Sequence, residues 1–434
     1  MKGIRFFPLF VAAAFYHSIA WAALVVNYVN PLSTDGGDGT TTSIDPSDAH
    51  RAYKYLKHWE AQNINLVGAG NSMMVICDST ATDVYPDGGV RVDTTSVNVS
   101  GWTTSATSSI TITVGPNSVH KGTYTASGYR LETANTGMTI TDGFVTVDGL
   151  LITSTRTSSS FPIIISGGNV EAGSTYTIKN CILRGIADGN ETEFRGIYDS
   201  GNVAHTSIFI NDLIYFPLNT NLALNQSGSN GFPACVKTEA TTVTSYLYNI
   251  TCASGAFTGF EQASGFMIVK NSVVQNAAST NYSGCASTSA DNTAGDTSTC
   301  GQAGRTSKTV TFVNPAAQDW RIAANSVGVS SCPSLSTDTL AGFTYDFDGG
   351  TRATSGAGTW DCGCDEHGTD WSTVAGGGGG GGGGNPTSTG SVVPNLPIHS
   401  PMIITMDDHS NVQLPSRLPP VFDSPKYRYE DWFR

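Results

Sequence analysis

Charge is scarce in this chain. Asp, Glu, Lys and Arg make up 13% of its 434 residues, and 22 Lys and Arg face 35 Asp and Glu for a formal net charge of −13. Nucleic acid is a poor partner for such a composition, because neutralising phosphate takes clustered basic side chains. No apolar run of 18 residues follows the first 22 residues, so no membrane span is expected in the mature chain. Cys362-Gly363-Cys364 has no Cys or His partners at zinc spacing, and no metal is expected there. P-loop, Gly-x-Gly-x-x-Gly and Ser-His-Asp contexts are absent, and Asn-Gly hairpin turns are scarce. Gly, Ser, Thr and Asn fill the space that charge leaves, while β-branched and aromatic residues stay too frequent for disorder as far as about residue 371.

A short phrase returns along the chain: apolar residues in strand alternation, then Asn or Asp, then more apolar residues. It reads Val145-Thr146-Val147-Asp148-Gly149-Leu150-Leu151, Ile178-Lys179-Asn180-Cys181-Ile182, Phe209-Ile210-Asn211-Asp212-Leu213, Leu247-Tyr248-Asn249-Ile250-Thr251 and Val269-Lys270-Asn271-Ser272-Val273. A weaker copy is Val97-Asn98-Val99-Ser100-Gly101-Trp102. Asn, Asp and Gly tolerate a left-handed backbone, so each phrase predicts a sharp bend between two strands. Recurrent bends predict a coil whose rungs bury their apolar faces only by stacking. Asp148, Asn180, Asn211, Asn249 and Asn271 are expected at equivalent turns, with the uneven spacing taken up by lateral loops. A barrel or sandwich of short strands is the alternative.

These phrases resemble the right-handed parallel β-helix of the pectate-lyase-like superfamily, whose turns often carry stacked Asn side chains. Phe312-Val313-Asn314-Pro315 with Asp319-Trp320-Arg321-Ile322 resembles the closing rung of exported bacterial and phage β-helix proteins. Asp346-Phe347-Asp348-Gly349, Arg352 and Trp360-Asp361-Cys362-Gly363-Cys364-Asp365-Glu366 resemble their terminal signature. The resemblance implies the fold over about residues 25–371 and says little of activity.

The organisation expected is a signal peptide over 1–22, an N-terminal strand and capping helix over 23–72, and a parallel β-helix with its closing segment over 73–371. A Gly-rich linker over 372–384 and a Pro-rich tail over 385–434 follow. The leader has Lys2 and Arg5, an apolar stretch and Ala20-Trp21-Ala22, which predicts export to an extracellular, periplasmic or virion-surface setting. Ser47 is read as the cap of a helix presenting Ala49, Ala52, Tyr53, Leu56 and Trp59, a lid for the coil's open end. Nine cysteines in an oxidising space predict disulfides, with Cys285 and Cys300 closing their loop for roughly 3 kcal/mol. Cys181 and Cys252, inside strand phrases, are read as buried thiols as readily as bridged ones. Nine glycines at 376–384 read as a tether to a tail whose Tyr427, Tyr429, Trp432 and Phe433 suit docking to a larger surface or virion assembly.

The densest charged stretch is Arg184, Asp188, Glu191, Glu193, Arg195, Asp199 and His205, between two of the phrases. In a β-helix enzyme Arg184, Arg195, His205 or Lys237 would serve as base. Asp188, Glu191 and Glu193 would serve as acid, or as Ca²⁺ ligands if the chain is a lyase. Lys237 and Glu239 are placed to face the same groove. No carboxylate pair or basic cluster recurs at equivalent places on neighbouring rungs, and most charge runs are solvated loops. The reading favoured is therefore an exported recognition protein, an adhesin or phage-type attachment or spike protein that binds polysaccharide or cell-surface glycan. A polysaccharide lyase or glycoside hydrolase of the same superfamily is the alternative.

Overall fold

In the computed structural model the described residues are 23–367, less 80–91, 117, 125–127, 157–160, 168–171, 188–193, 202, 218–233, 240, 254–257, 276–279, 284–289, 292–293, 296–308, 328–331, 339, 341–342 and 353–358. Residues 1–22, the glycine run, the tail with Tyr427, Tyr429, Trp432 and Phe433, the Cys285 and Cys300 pair, and Asp188, Glu191 and Glu193 lie outside them.

Strands alternate among three sheets, and every pairing within those sheets is parallel. One rung shows the order: Val145–Asp148 in the first sheet, Leu151–Arg156 in the second, Phe161–Ser166 in the third, then Thr175–Lys179 in the first again. Among the described residues the first sheet has nine strands and the other two have seven each, which makes the body a parallel β-helix. It is right-handed, the hand that parallel crossovers take. The coil includes the N-terminal strand, since Ala23–Val29 pairs in register with Asn71–Cys77.

The bends explain the repeat. Asn180, Asn211, Asn249 and Asn271 all sit between the first and second sheets with φ of 54–56°. Asp148 is not their equivalent: it pairs with Lys179, and the left-handed position of that rung belongs to Gly149 at φ 79°. Asp148 still joins the ladder, because Asn180 Nδ2 donates to its Oδ1 at 2.8 Å and Asn211 Nδ2 donates to Asn180 Oδ1 at 3.2 Å. The weak copy at Val97–Val99 is a third-sheet strand, so Gly101 turns a different corner.

The N-terminal helix is shorter than its pattern. Helix α1 spans Leu56–Glu60 and helix α2 spans Leu66–Ala69. Ser47 caps neither, because Asp45 Oδ1 accepts from both its N–H and its hydroxyl while Asp48 Oδ1 accepts from His50 N. These local side-chain turns outcompete helix over 45–50. The lid role survives in the short α1, whose Leu56 and Trp59 are fully buried, with Trp59 stacked on Trp102 at 5.0 Å.

The closing segment packs on the coil's side. Phe312–Asn314 pairs antiparallel with Asp319–Ile322, and Cys332–Pro333 with Thr359–Trp360. Phe312, Trp320, Ile322 and Phe347 bury against Leu151, Ile182, Leu213 and Val273 on the outside of the second sheet. Leu335 and Trp360 pack on Ile208, Ile210 and Tyr248 of the first. A sheet face this apolar needs a cover, and the segment is a strap that supplies it. Cys332–Cys362 staples the strap, and Cys235–Cys252 joins the third sheet to the second. Cys252 is therefore bridged, while Cys181 is a buried thiol.

Candidate functional site

The third sheet carries charge on its outer face. Ile197, Val236 and Phe260 enter the core from three successive rungs, and the next residue on each strand, Tyr198, Lys237 and Glu261, faces away from it. The strand bends just before this row. Cys235 and Val236 both belong to the core, and Gly196 lies so close to the Cys235 carbonyl that a Cβ would stand 2.4 Å from its oxygen.

The row is knit by opposite charges. Lys237 Nζ lies 3.3 Å from Glu261 Oε1 and 3.6 Å from Glu239 Oε2. Tyr198 Oη donates to Glu239, and the Arg195 guanidinium stacks over the Tyr198 ring at 4.2 Å. The Tyr198 hydroxyl, with help from Lys237 and Arg195, holds the Glu239 carboxyl below its ordinary range. Glu261 Oε2 is buried and accepts no hydrogen bond among the described residues. Arg195 and Lys237 are 7% and 6% exposed, so the row is largely covered and Glu239 is its half-exposed member.

The other sequence candidates separate. Arg184 lies on the second sheet, in Ile182–Ala187, with its guanidinium over the Tyr124 ring at 4.4 Å. It does not share a sheet with Arg195 and Lys237.

His205 is inside the coil wall rather than in a groove. Its side chain and that of Asp199 are both 0% exposed, with Nε2 3.0 Å from Asp199 Oδ1. Nδ1 lies 2.8 Å from the Val203 carbonyl, which only accepts, so that nitrogen carries a hydrogen. Asp199 also accepts from Tyr176 (2.8 Å), Ser207 (2.6 Å) and Ser245 (2.8 Å). Ser207 donates to the carboxylate and not to the imidazole, so the cluster is no nucleophilic relay. Burial, then Asp199, keeps the Tyr176 hydroxyl protonated far above its ordinary range.

Tyr198 and Glu261 were not singled out by the sequence reading. Their signal lies in the parallel triplets Ile197-Tyr198-Asp199, Val236-Lys237-Thr238 and Phe260-Glu261-Gln262, each a core residue followed by a polar outward one.

Two further clusters belong to the scaffold. Asp346, Asp348 and Asp365, all buried in the strap, bring carboxylate oxygens within 4.8 Å of one another, the convergence a hard cation uses. One oxygen of each already accepts a backbone N–H, from Glu366, Gly350 and Ile322. Burial, then the Asp348 charge, pushes the Asp346 carboxyl well above its ordinary range. Asp212 is fully buried beside Asn211; its Oδ1 accepts from Cys181 N at 2.9 Å, and burial raises its carboxyl far above the usual range.

No helix among the described residues is long and apolar enough to cross a membrane. No family model and no curated protein matches the chain. Among solved structures it is similar to the crystal structure of pectate lyase Pel9A at 12% identity, with 80% of this chain and 96% of that one covered and a TM-score of 0.25. That likeness is too loose to place a residue of one chain on the other. The parallel β-helix stands instead on the three parallel sheets and the left-handed bends between them.

Proposed function

We propose that this chain is an exported recognition protein that binds glycan on the outer face of the third sheet, in the manner of an adhesin or an attachment protein. The observation that carries the reading is the Arg195–Tyr198–Lys237–Glu239–Glu261 row, in which every charged group already leans on a neighbour. Such a row supplies directed hydrogen bonds and one aromatic plane, the usual elements of sugar recognition. A lyase needs a base free to take a proton, and a hydrolase needs two carboxyls across the scissile bond. Lys237 is clamped between two carboxylates, Arg184 is on another sheet and His205 is sealed in the wall. The leader-like first 22 residues and the two disulfides among the described residues support export.

The test is affinity electrophoresis of the full chain in gels containing soluble polysaccharides, with and without Ca²⁺, alongside assays for reducing ends and for unsaturated products. Retardation without turnover is expected. Turnover of any polysaccharide, abolished by Arg195→Ala or Lys237→Ala, would replace this reading with the enzymatic one.

A further inference from the structure

We infer that the second sheet carries a binding site for a single oxyanion group, centred on Arg184 and separate from the third-sheet row. Register lays Glu132, Thr153, Arg184 and Tyr215 side by side on four successive rungs. Their strand neighbours Leu131, Ile152, Leu183 and Ile214 enter the core, so this row faces outward. Cations on the sheets are elsewhere neutralised from within: Arg130, Lys179, Lys237 and Lys270 each have a carboxylate oxygen within 3.3 Å. Arg184 has no ion-pair partner among the described residues, and its guanidinium instead lies on the Tyr124 ring at 4.4 Å. In a chain with 35 acidic residues against 22 basic ones, a sheet-borne arginine left without a carboxylate marks a place where the counter-charge comes from outside.

The guanidinium is also reachable and held in place. Its Nε is buried without a partner among the described residues, while the residue as a whole is partly exposed, so the edge with the two terminal nitrogens is the one that faces solvent. That edge is a fork of parallel donors, matched to two oxygens of one anionic group. The ring beneath it is fixed at its hydroxyl: Thr153 Oγ1 donates to Tyr124 Oη at 3.2 Å, and Tyr124 Oη donates to Glu132. Glu132 is engaged by Arg130 Nη1 at 2.9 Å as well, and the Tyr215 hydroxyl donates to Gln318 Oε1 at 3.0 Å. A guanidinium laid flat on an anchored ring loses little freedom when it takes a ligand. Sulfate esters and uronates on a glycan both supply the oxyanion.

The experiment is titration calorimetry of the full chain with neutral oligogalactose, its sulfated form and oligogalacturonate of equal length, at low and high salt. At least one acidic oligomer should bind about tenfold tighter than the neutral one, lose that advantage at high salt and be displaced by inorganic sulfate. Whichever acidic oligomer binds tighter assigns the oxyanion as a sulfate ester or a carboxylate. Arg184→Gln should weaken that binding about tenfold. Arg184→Lys keeps the charge but not the two-point contact, and should weaken it about threefold with the salt dependence retained. Binding unchanged in both variants, or no preference for either acidic oligomer over the neutral one, would overturn this inference. The third-sheet reading is not at stake in these outcomes, because Arg184 takes no part in that row.

Discussion

The same rungs build two unlike faces. Outside the second sheet, Leu151, Ile182, Leu213 and Val273 form an apolar column that the strap covers. Outside the third sheet, Tyr198, Lys237 and Glu261 form a polar column. The hydrophobic effect decides the first face, since an apolar column of this length is stable only when buried. The second face is held by charge pairing, with Arg195 and Lys237 themselves buried and Glu239 half-exposed, so it is closed by opposite charges where the first is closed by apolar contact. The coil thus differs by face: one side carries the closing strap, and the other carries the charged row.

The strongest way to break the comparison is to unfasten the strap. Arg352 is fully buried, donating to Glu366 Oε2 at 2.9 Å and to the Gly363 carbonyl at 2.9 Å. With the Asn249 amide turned to satisfy both groups, Asn249 Oδ1 accepts from its two terminal nitrogens at 3.1 and 3.2 Å, which ties the strap to the Asn ladder. Arg352→Ala should destabilise the protein by about 3–5 kcal/mol, because it leaves Glu366 without its buried cation. Chemical denaturation measures the loss, and the second-sheet face should then bind a hydrophobic dye. Retention of full stability would show that the strap is held by apolar contact alone.

A smaller effect is expected at Asp212. Its folded-state carboxyl is raised, so its contribution to stability is fully present below the unfolded value of about 4 and is lost as pH rises through the folded value. Asp212→Asn keeps the acceptor for Cys181 N and removes the charge that alkaline pH would force on the core. Thermal melts should show the variant gaining on wild type at pH 7–8, with a rise of about 2–4 °C for each kcal/mol, and showing little difference near pH 4. An equal shift at both pH values would contradict a buried, protonated acid.

The smallest stability change and the largest loss of binding should coincide on the third-sheet face. Glu239→Gln and Tyr198→Ala should each alter unfolding free energy by about 1 kcal/mol or less, since Glu239 is half-exposed and Tyr198 partly so. Glycan retention should fall at least tenfold in the same electrophoretic assay. If both variants lose stability and binding in proportion, the third-sheet row is scaffold.

The coil was legible because its bends are local chemistry. A left-handed residue between two strands is costly for most side chains and cheap for Asn and Gly, so Asn180, Asn211, Asn249 and Asn271 announced themselves. The same rule misled at Asp148, where Gly149 is the better left-handed residue one position later. The helix pattern from Ala49 to Trp59 was a burial pattern, correct for Ala52, Leu56 and Trp59, but the Asx turns at Asp45 and Asp48 left only its last turn helical. The candidate site was less legible. Arg184, Arg195 and His205 are neighbours in sequence and were read as one cluster. A rung passes through three sheets in some thirty residues and scatters such neighbours over different faces.

The sequence alone determined the coil: strand alternation, left-handed bends and apolar inward positions are properties of each segment and of its immediate neighbours. Only the tertiary structure decided which outward residues meet. Tyr198, Lys237 and Glu261 come together because lateral register aligns three rungs, and loop lengths that leave no periodic trace set that register. The strap's position was likewise decided by an apolar column that exists only once rungs are stacked. Contacts across rungs are relations between distant segments, and no local preference of the chain encodes them.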